Sequence, residues 1–208
     1  MASYIVAITG ASGVRYATTL LTALLQKGHD VELVVSDAGL LLMKEEAGLV
    51  LGGRDAAKKL KDHLWSLTSA KGGKKSALKG NLRLYSNGDI AAGFASGSAL
   101  KKTMIICPCS MGTLGRIASG VSGNLIERAA DCILKERGRL VLVPRETPFN
   151  AIHLENMLRL THAGAIILPA MPAFYNKPTS IDDMINFMVG KILDAIGIEN
   201  DLYRRWGK

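Results

Sequence analysis

Residues 4–28 read YIVAITGASGVRYATTLLTALLQKG. Residues 4–9 form a short β-branched run that stops at Gly10, the mark of a buried strand. A helical pattern follows over 14–27, and Gly28 stands where a helix takes its closing glycine. The same order of strand, turn and helix then repeats along the chain. Residues 31–35, 82–85, 103–107, 140–143 and 165–168 read as five further strands. Helical patterns fill 124–137, 148–162 and 181–196, and a polar-to-helix transition stands at Ser36 and Asp37. Near-continuous apolar strands separated by amphipathic helices predict a doubly wound parallel sheet covered on both faces, a three-layer α/β fold of the Rossmann or flavodoxin kind.

Whole-chain quantities bound the rest. At 208 residues, with 48% apolar and 21% charged residues, the expectation is one globular domain over 1–208. No stretch approaches the ~18 apolar residues of a membrane span, and residues 1–8 lack a basic, cleavable leader. The expectation is a cytoplasmic protein, with no membrane partner. Cys107, Cys109 and Cys132 are an odd set, too sparse for a disulfide framework or a four-ligand zinc site, and read as reduced buried thiols. The formal charge of +8 is confined to 54–102, and the lysine-rich insert at 54–80 contains KGGKKSALKG, which reads as a surface loop. It lacks interleaved aromatics for stacking bases, so no nucleic-acid partner is expected.

In open parallel sheets ligands sit beyond the carboxyl ends of the strands. Four such ends carry unusual residues: TGASG at 9–13, SDAG at 36–39, CPCSMGTLG at 107–115 and PRETP at 144–148. The amides that open the helix after Gly10, Ala11, Ser12 and Gly13 favour an anion. Ser110, Met111, Gly112 and Thr113 repeat the design after the fourth strand, although N-capping alone explains Ser110. In PRETP, Thr147 is expected to cap the next helix, with Pro148 in its first turn. Two prolines stiffen this loop around Arg145 and Glu146, and opposite charges held at a crevice suit charge-assisted binding and proton transfer.

Other features have plainer readings. Arg128 and Lys135 share one helical stripe, with Asp131 and Lys135 spaced as a weak ion pair. Ser180 and Asp183 form a capping box before an apolar face of Ile181, Met184, Ile185, Met188 and Ile192, with Lys191 off that face. His153 and His162 have no metal-ligand spacing.

Taken together these motifs resemble the flavin prenyltransferase family (UbiX/Pad type) nearly end to end. The carriers are ITGASG at 8–13, VVSDAG at 34–39, ASGS at 95–98, CPCSMGTL at 107–114, the long block NLIERAADCILKERGRLVLVPRETPF at 124–149, IHLENMLRL at 152–160, LPAMPAFYNKP at 168–178 and RRWG at 204–207. The resemblance implies transfer of a dimethylallyl group from dimethylallyl monophosphate to N5 and C6 of reduced FMN, without a metal. The prenylated FMN serves UbiD-type decarboxylases. It further implies a homo-oligomer, a dodecamer, with active sites between subunits. Gly10, Ala11, Ser12, Ser36, Ser110, Met111, Gly112, Thr113 and Arg145 would contact FMN. Arg128, Lys135, Arg145, Tyr175, Lys191 and Trp206 would surround the prenyl phosphate. Ser12, Glu46, Lys135 and Glu146 would be catalytic, with Glu146 handling the proton lost from flavin C6. Two positions depart from many relatives, Lys191 where they carry Arg and Ile90 where some carry Trp. Flavin-dependent cysteine decarboxylases share fold and FMN but rely on a histidine base, and no histidine here matches it.

Overall fold

The computed structural model describes residues 2–69, 77–96 and 103–207. Six strands, β1 (Ser3–Ile8), β2 (Asp30–Val35), β3 (Leu82–Tyr85), β4 (Thr103–Cys109), β5 (Arg139–Pro144) and β6 (Ile166–Ile167), form one sheet in the order β3-β2-β1-β4-β5-β6. Every neighbouring pair is parallel. This is the doubly wound order that reverses between its two central strands, here β1 and β4. The helices are α1 (Val14–Gln26), α2 (Asp37–Ala47), α3 (Ala56–Ser69), α4 (Met111–Ala118), α5 (Leu125–Lys135), α6 (Ala151–His162) and α7 (Ile181–Ala195).

Strand side chains alternate between the two faces. Val6, Ile8, Leu33, Ile105 and Val141 face one core with α1, α3 and α7, whereas Ile5, Ala7, Met104, Ile106 and Leu142 face the other with α4, α5 and α6. Leu20, Leu21, Leu24 and Leu25 of α1 are fully buried. Each such side chain contributes about 1.5–3 kcal/mol relative to exposure. Gly28 closes α1 with φ 80°, as its position in the sequence predicts.

Four local expectations change. Part of the basic insert is helical: Ala56, Leu60 and Leu64 of α3 are buried, a stripe of fourth residues laid beside α1, while Lys58 and Lys59 face outward and Lys61 donates to the Gly80 carbonyl at 3.4 Å. Most of KGGKKSALKG lies outside the described residues. Helix α6 starts at Ala151, capped by Asn150 in a reciprocal box with His153, so Thr147 is not its cap and Pro148 lies before it. Ile181 is 68% exposed and leaves the apolar face, which Phe187, Val189 and Leu193 extend instead. Finally, Arg128 pairs with Asp131 and Lys135 with Glu136, in place of an Asp131–Lys135 pair.

The two central strands are pinned at their carboxyl ends by Thr9, which is completely buried. Its hydroxyl donates to the Pro108 carbonyl at 3.0 Å and accepts from the Ser110 amide at 2.8 Å, while its own amide donates to the same Pro108 carbonyl at 3.2 Å. Pro108 brings no amide to the β4 ladder next to its carboxyl end, and the β4–β5 register shifts between Ile106 and Cys109. Thr9 thus supplies, across the junction, the bonding that a regular ladder would have made. Thr9→Val is expected to cost about 1–3 kcal/mol, because it strands a buried amide. At this chain length that is a fall of roughly 2–4 °C in Tm per kcal/mol, measured by calorimetry, with Thr9→Ser close to neutral.

Candidate active site

The loops after β1, β2, β4 and β5 gather at the carboxyl edge where the strand order reverses. The first turn of α2 packs directly on Gly10, where an added Cβ would stand 2.6 Å from Cβ of Ala38. Ala11 is buried, and its amide donates to the Thr9 carbonyl at 2.9 Å. Ser36 caps α2 by accepting from the Gly39 amide at 3.1 Å, and Ser110 caps α4 by accepting from the Thr113 amide at 3.3 Å. The Ser110 hydroxyl also donates to Thr113 Oγ1 at 3.1 Å.

The start of α1 is not open to a ligand anion, contrary to the expectation from sequence. Glu46 reaches back from the last turn of α2, and its carboxylate accepts from the Gly13 amide at 3.0 Å and the Val14 amide at 2.8 Å. Burial raises the pKa of this carboxyl, but the Ser12 hydroxyl, the two amides and the Arg145 guanidinium outweigh it and hold it below the ordinary value. Arg145 completes the cluster by donating from Nε to the Ser12 carbonyl at 3.0 Å. Glu146, half-buried beside it, accepts from the Thr147 amide at 3.0 Å. Ser12, Glu46 and Arg145 therefore share one crevice, and Glu146 follows Arg145 in the same loop. Tyr16, which the sequence did not single out, lies close enough to feel the Arg145 charge, although burial still pushes its phenol upward.

Met111 and Gly112 occupy the first two positions of α4, whose amides have no intrahelical partner. Gly112 is exposed. This second helix start, facing the same edge, keeps the anion-binding character that Glu46 removes from α1.

Tyr175 and Trp206 also come together, with ring centroids 5.1 Å apart. Tyr175 packs edge-on against Phe187 of α7, and Phe187 against Tyr203. Asp194 fastens this C-terminal segment: it accepts from the Tyr203 hydroxyl at 2.6 Å and takes Arg205 in a two-nitrogen fork at 2.8 and 3.1 Å. Burial and Asp194 push the Tyr203 phenol up to about 12. Lys177, Arg204 and Arg205 join the aromatic pair around an open pocket of about 560 Å³. Lys191 is exposed on α7, nine residues and so about 14 Å along the helix from Asp182, which pairs with Arg15 at the start of α1.

Lys135 is not brought to the crevice within one protomer, and Arg128 pairs with Asp131 on its own helix. Helix α5 packs on the sheet face opposite α7, and Lys135 sits near the entry of β5, whereas Arg145 follows its exit. The six residues of β5 separate these ends by about 20 Å.

Because the Glu46 carboxyl is depressed in the folded chain, its stabilising contribution is full above the unfolded value near pH 4.3 and disappears as pH falls through the folded value. Glu46→Gln is therefore expected to lower Tm at pH 7. The gap between the two proteins should close in thermal scans taken progressively below about pH 4.

Comparison with known proteins extends the geometry. The Flavoprotein family model matches residues 2–193. The chain is 49% identical over 205 residues to the flavin prenyltransferase UbiX of Halalkalibacterium halodurans, covering 99% of this chain and 93% of that protein. It superposes with a TM-score of 0.82 at 37% identity on AnUbiX (PadA1), solved in complex with FMN and dimethylallyl pyrophosphate, covering 99% of this chain and 97% of that one. The dodecameric FMN-dependent Ubix-like decarboxylase of Escherichia coli O157:H7 gives a TM-score of 0.81 at 36% identity, over 99% of this chain and 100% of that one. Likeness of this extent, running through every loop of the crevice, establishes that the chain belongs to the flavoprotein family and, within it, to the flavin prenyltransferases.

Proposed function

We propose that the chain, as a single flavoprotein domain, transfers the dimethylallyl group of dimethylallyl monophosphate to N5 and C6 of reduced FMN. The observation that carries the site assignment is the Arg145–Ser12 bond at 3.0 Å, which joins Arg145 to the Ser12–Glu46 cluster near the strand-order reversal, with Glu146 next in the same loop. The flavin fits there in one direction. Its phosphate suits the open start of α4, formed by Ser110, Met111, Gly112 and Thr113, with Ser36 beside it. The carboxylate of Glu46 repels it from α1, which leaves the ring system against Gly10, Ala11 and Ser12.

When bound, the reduced flavin supplies the nucleophilic N5 and C6 positions. The chain's own residues do the rest. Ser12, tied to Glu46 through its hydroxyl, is held in position toward N5. Arg145 spends Nε on the Ser12 carbonyl and offers its terminal nitrogens to the donor phosphate, which must gain negative charge as it leaves. Arg128, Lys135 and Lys191 add fixed positive charge to the same departing group. Tyr175 and Trp206 present π faces to the allylic cation, and their pocket excludes part of the water that would intercept it. Ile90 supplies no such face. Lys191 acts as a point charge where an arginine would make a two-nitrogen grip. Glu146 accepts the proton released at flavin C6.

The position of Lys135, a strand length from Arg145, supports sites shared between subunits of a homo-oligomer, a dodecamer like that of the Escherichia coli neighbour. The product is proposed to pass to UbiD-type decarboxylases in the cytoplasm. No described helix is long and apolar enough to cross a membrane.

Incubation with reduced FMN and dimethylallyl monophosphate, followed by mass spectrometry of the released flavin, should show the mass gain of one dimethylallyl unit. An unchanged flavin mass refutes the reading, and the pyrophosphate run in parallel tests the choice of donor. Glu146→Gln should bind FMN normally yet form product about 10²–10⁴-fold more slowly, the range for loss of a general base. Lys135→Ala and Glu146→Gln should each be inactive alone. Co-expressed, they should regain activity, because some interfaces then combine an intact Lys135 from one copy with an intact Glu146 from another. Mixtures that stay inactive would place both residues in one subunit's site.

A further inference from the structure

Glu127 is the one charged side chain fully buried among the described residues, at 1% exposure. Its carboxylate is satisfied from two directions: Arg116 donates from Nε to one oxygen, and the Gly123 amide donates to the other at 2.9 Å. A buried carboxylate persists only when paired and hydrogen-bonded in this way. Burial raises its pKa, but Arg116, the Gly123 amide and Asn124 prevail, so the group stays ionised.

The other half of the pair points elsewhere. Arg116 lies in the last turn of α4, and helical side chains lean toward their helix's N-terminus. Its guanidinium accordingly lies along the first turn. NH2 donates to Thr113 Oγ1 at 3.4 Å, and NH1 stands 3.5 Å from the place a Cβ on Gly112 would take. Thr113 Oγ1 in turn accepts from the capping hydroxyl of Ser110. Arg116 and Gly112 also border an open recess of about 370 Å³ that reaches His153 and Asn156 of α6. A brace between α4 and α5 would need only Nε. The remaining donors of the fork are presented to the turn that holds two unpaired amides, in the form that suits phosphate.

We infer that Glu127 is a positioning residue that aims Arg116 at the flavin phosphate, making Arg116 an additional phosphate-binding cation of this chain. The inference rests on the reading that the FMN phosphate occupies the start of α4. It assigns Arg116 the job of separating FMN from riboflavin, and Glu127 the job of fixing the guanidinium against that turn.

The test measures affinity for FMN and for riboflavin, which lacks the phosphate, by quenching of flavin fluorescence on the full-length protein. Arg116→Met should weaken FMN binding about ten- to a hundredfold, the loss of one charge-assisted contact, and leave riboflavin binding unchanged. Because a lone buried Glu127 could unfold that variant, the paired Arg116→Met/Glu127→Leu protein removes both charges and keeps the packing. It should retain its Tm while its preference for FMN falls by the same factor. Arg116→Lys should restore part of the preference, and Glu127→Gln should reduce it while Arg116 remains. If FMN and riboflavin affinities fall together, Arg116 is only a brace and the inference is wrong. If the paired variant keeps the full preference, the inference is wrong although the phosphate site stands. If the parent protein itself binds both flavins equally, the phosphate reading fails first and takes the inference with it.

Discussion

Thr9 is the constraint on which the site depends. A strand-order reversal opens a crevice between the ends of two central strands, but it does not fix how far apart those ends stand. Here one buried hydroxyl and one amide tie β1 to Pro108 and Ser110, so the turns at 10–13 and 110–113 leave the sheet at a set separation. The Arg145 amide donates to the Cys109 carbonyl at 3.4 Å, and the Ser36 amide to the Ile8 carbonyl at 3.0 Å, which extends the lock to the loops after β5 and β2. A ligand contacting all four loops meets a frame whose spacing is set by covalent geometry and buried hydrogen bonds rather than by flexible side chains.

Within that frame, direction comes from charge. Among the helices that begin at the edge, α1 and α4 each offer the partial positive charge of their leading amides. Glu46 neutralises the first, while Ser110 caps the second and leaves its leading amides open. An anionic tail is therefore drawn to one turn and repelled from the other. The same carboxylate fixes the Ser12 hydroxyl and faces Arg145, so in the proposed reading one side chain both orients the ligand and organises the reacting end.

The sheet and its loops were legible because strand ends are local events: apolar runs stop at glycine, proline or a capping serine, as at Thr9–Gly10, Val35–Ser36 and Cys109–Ser110. Arg145 and Glu146 were legible for the same reason, as opposite charges in a stiff loop at such an end. Helix α3 was not, since Lys58, Lys59 and Lys61 hide a stripe of only three buried residues. Thr147 and Asn150 are both competent caps three residues apart, and only the His153 side chain, completing a box with Asn150, decides between them. The Glu46 contact joins residues 33 apart along the chain, and nothing in the spacing of a Glu on α2 reveals that it caps α1. Thr9 escaped notice because a β-branched residue at a strand end needs no further explanation.

The sheet separates the residues assigned to the proposed chemistry. Glu46, Arg145 and Glu146 stand at its carboxyl edge, Lys191 with the Tyr175–Trp206 pair on the α7 side, and Lys135 on the opposite side near the entry of β5. No hinge within a doubly wound sheet could close such gaps without tearing its cores, which supports the proposed reading that Lys135 reaches the site from another copy of the chain. The surface also carries exposed apolar side chains: Ile152, Leu154 and Leu158 project from α6, Phe174 is 70% exposed and Trp206 79% exposed. Apolar side chains in such patches are costly to leave in water and favourable to bury between subunits. In a closed symmetric assembly every copy both gives and receives the same groups, so one repeated interface completes every site at once. Association would then supply the dry, cation-rich setting that phosphate departure requires, which a lone protomer lacks.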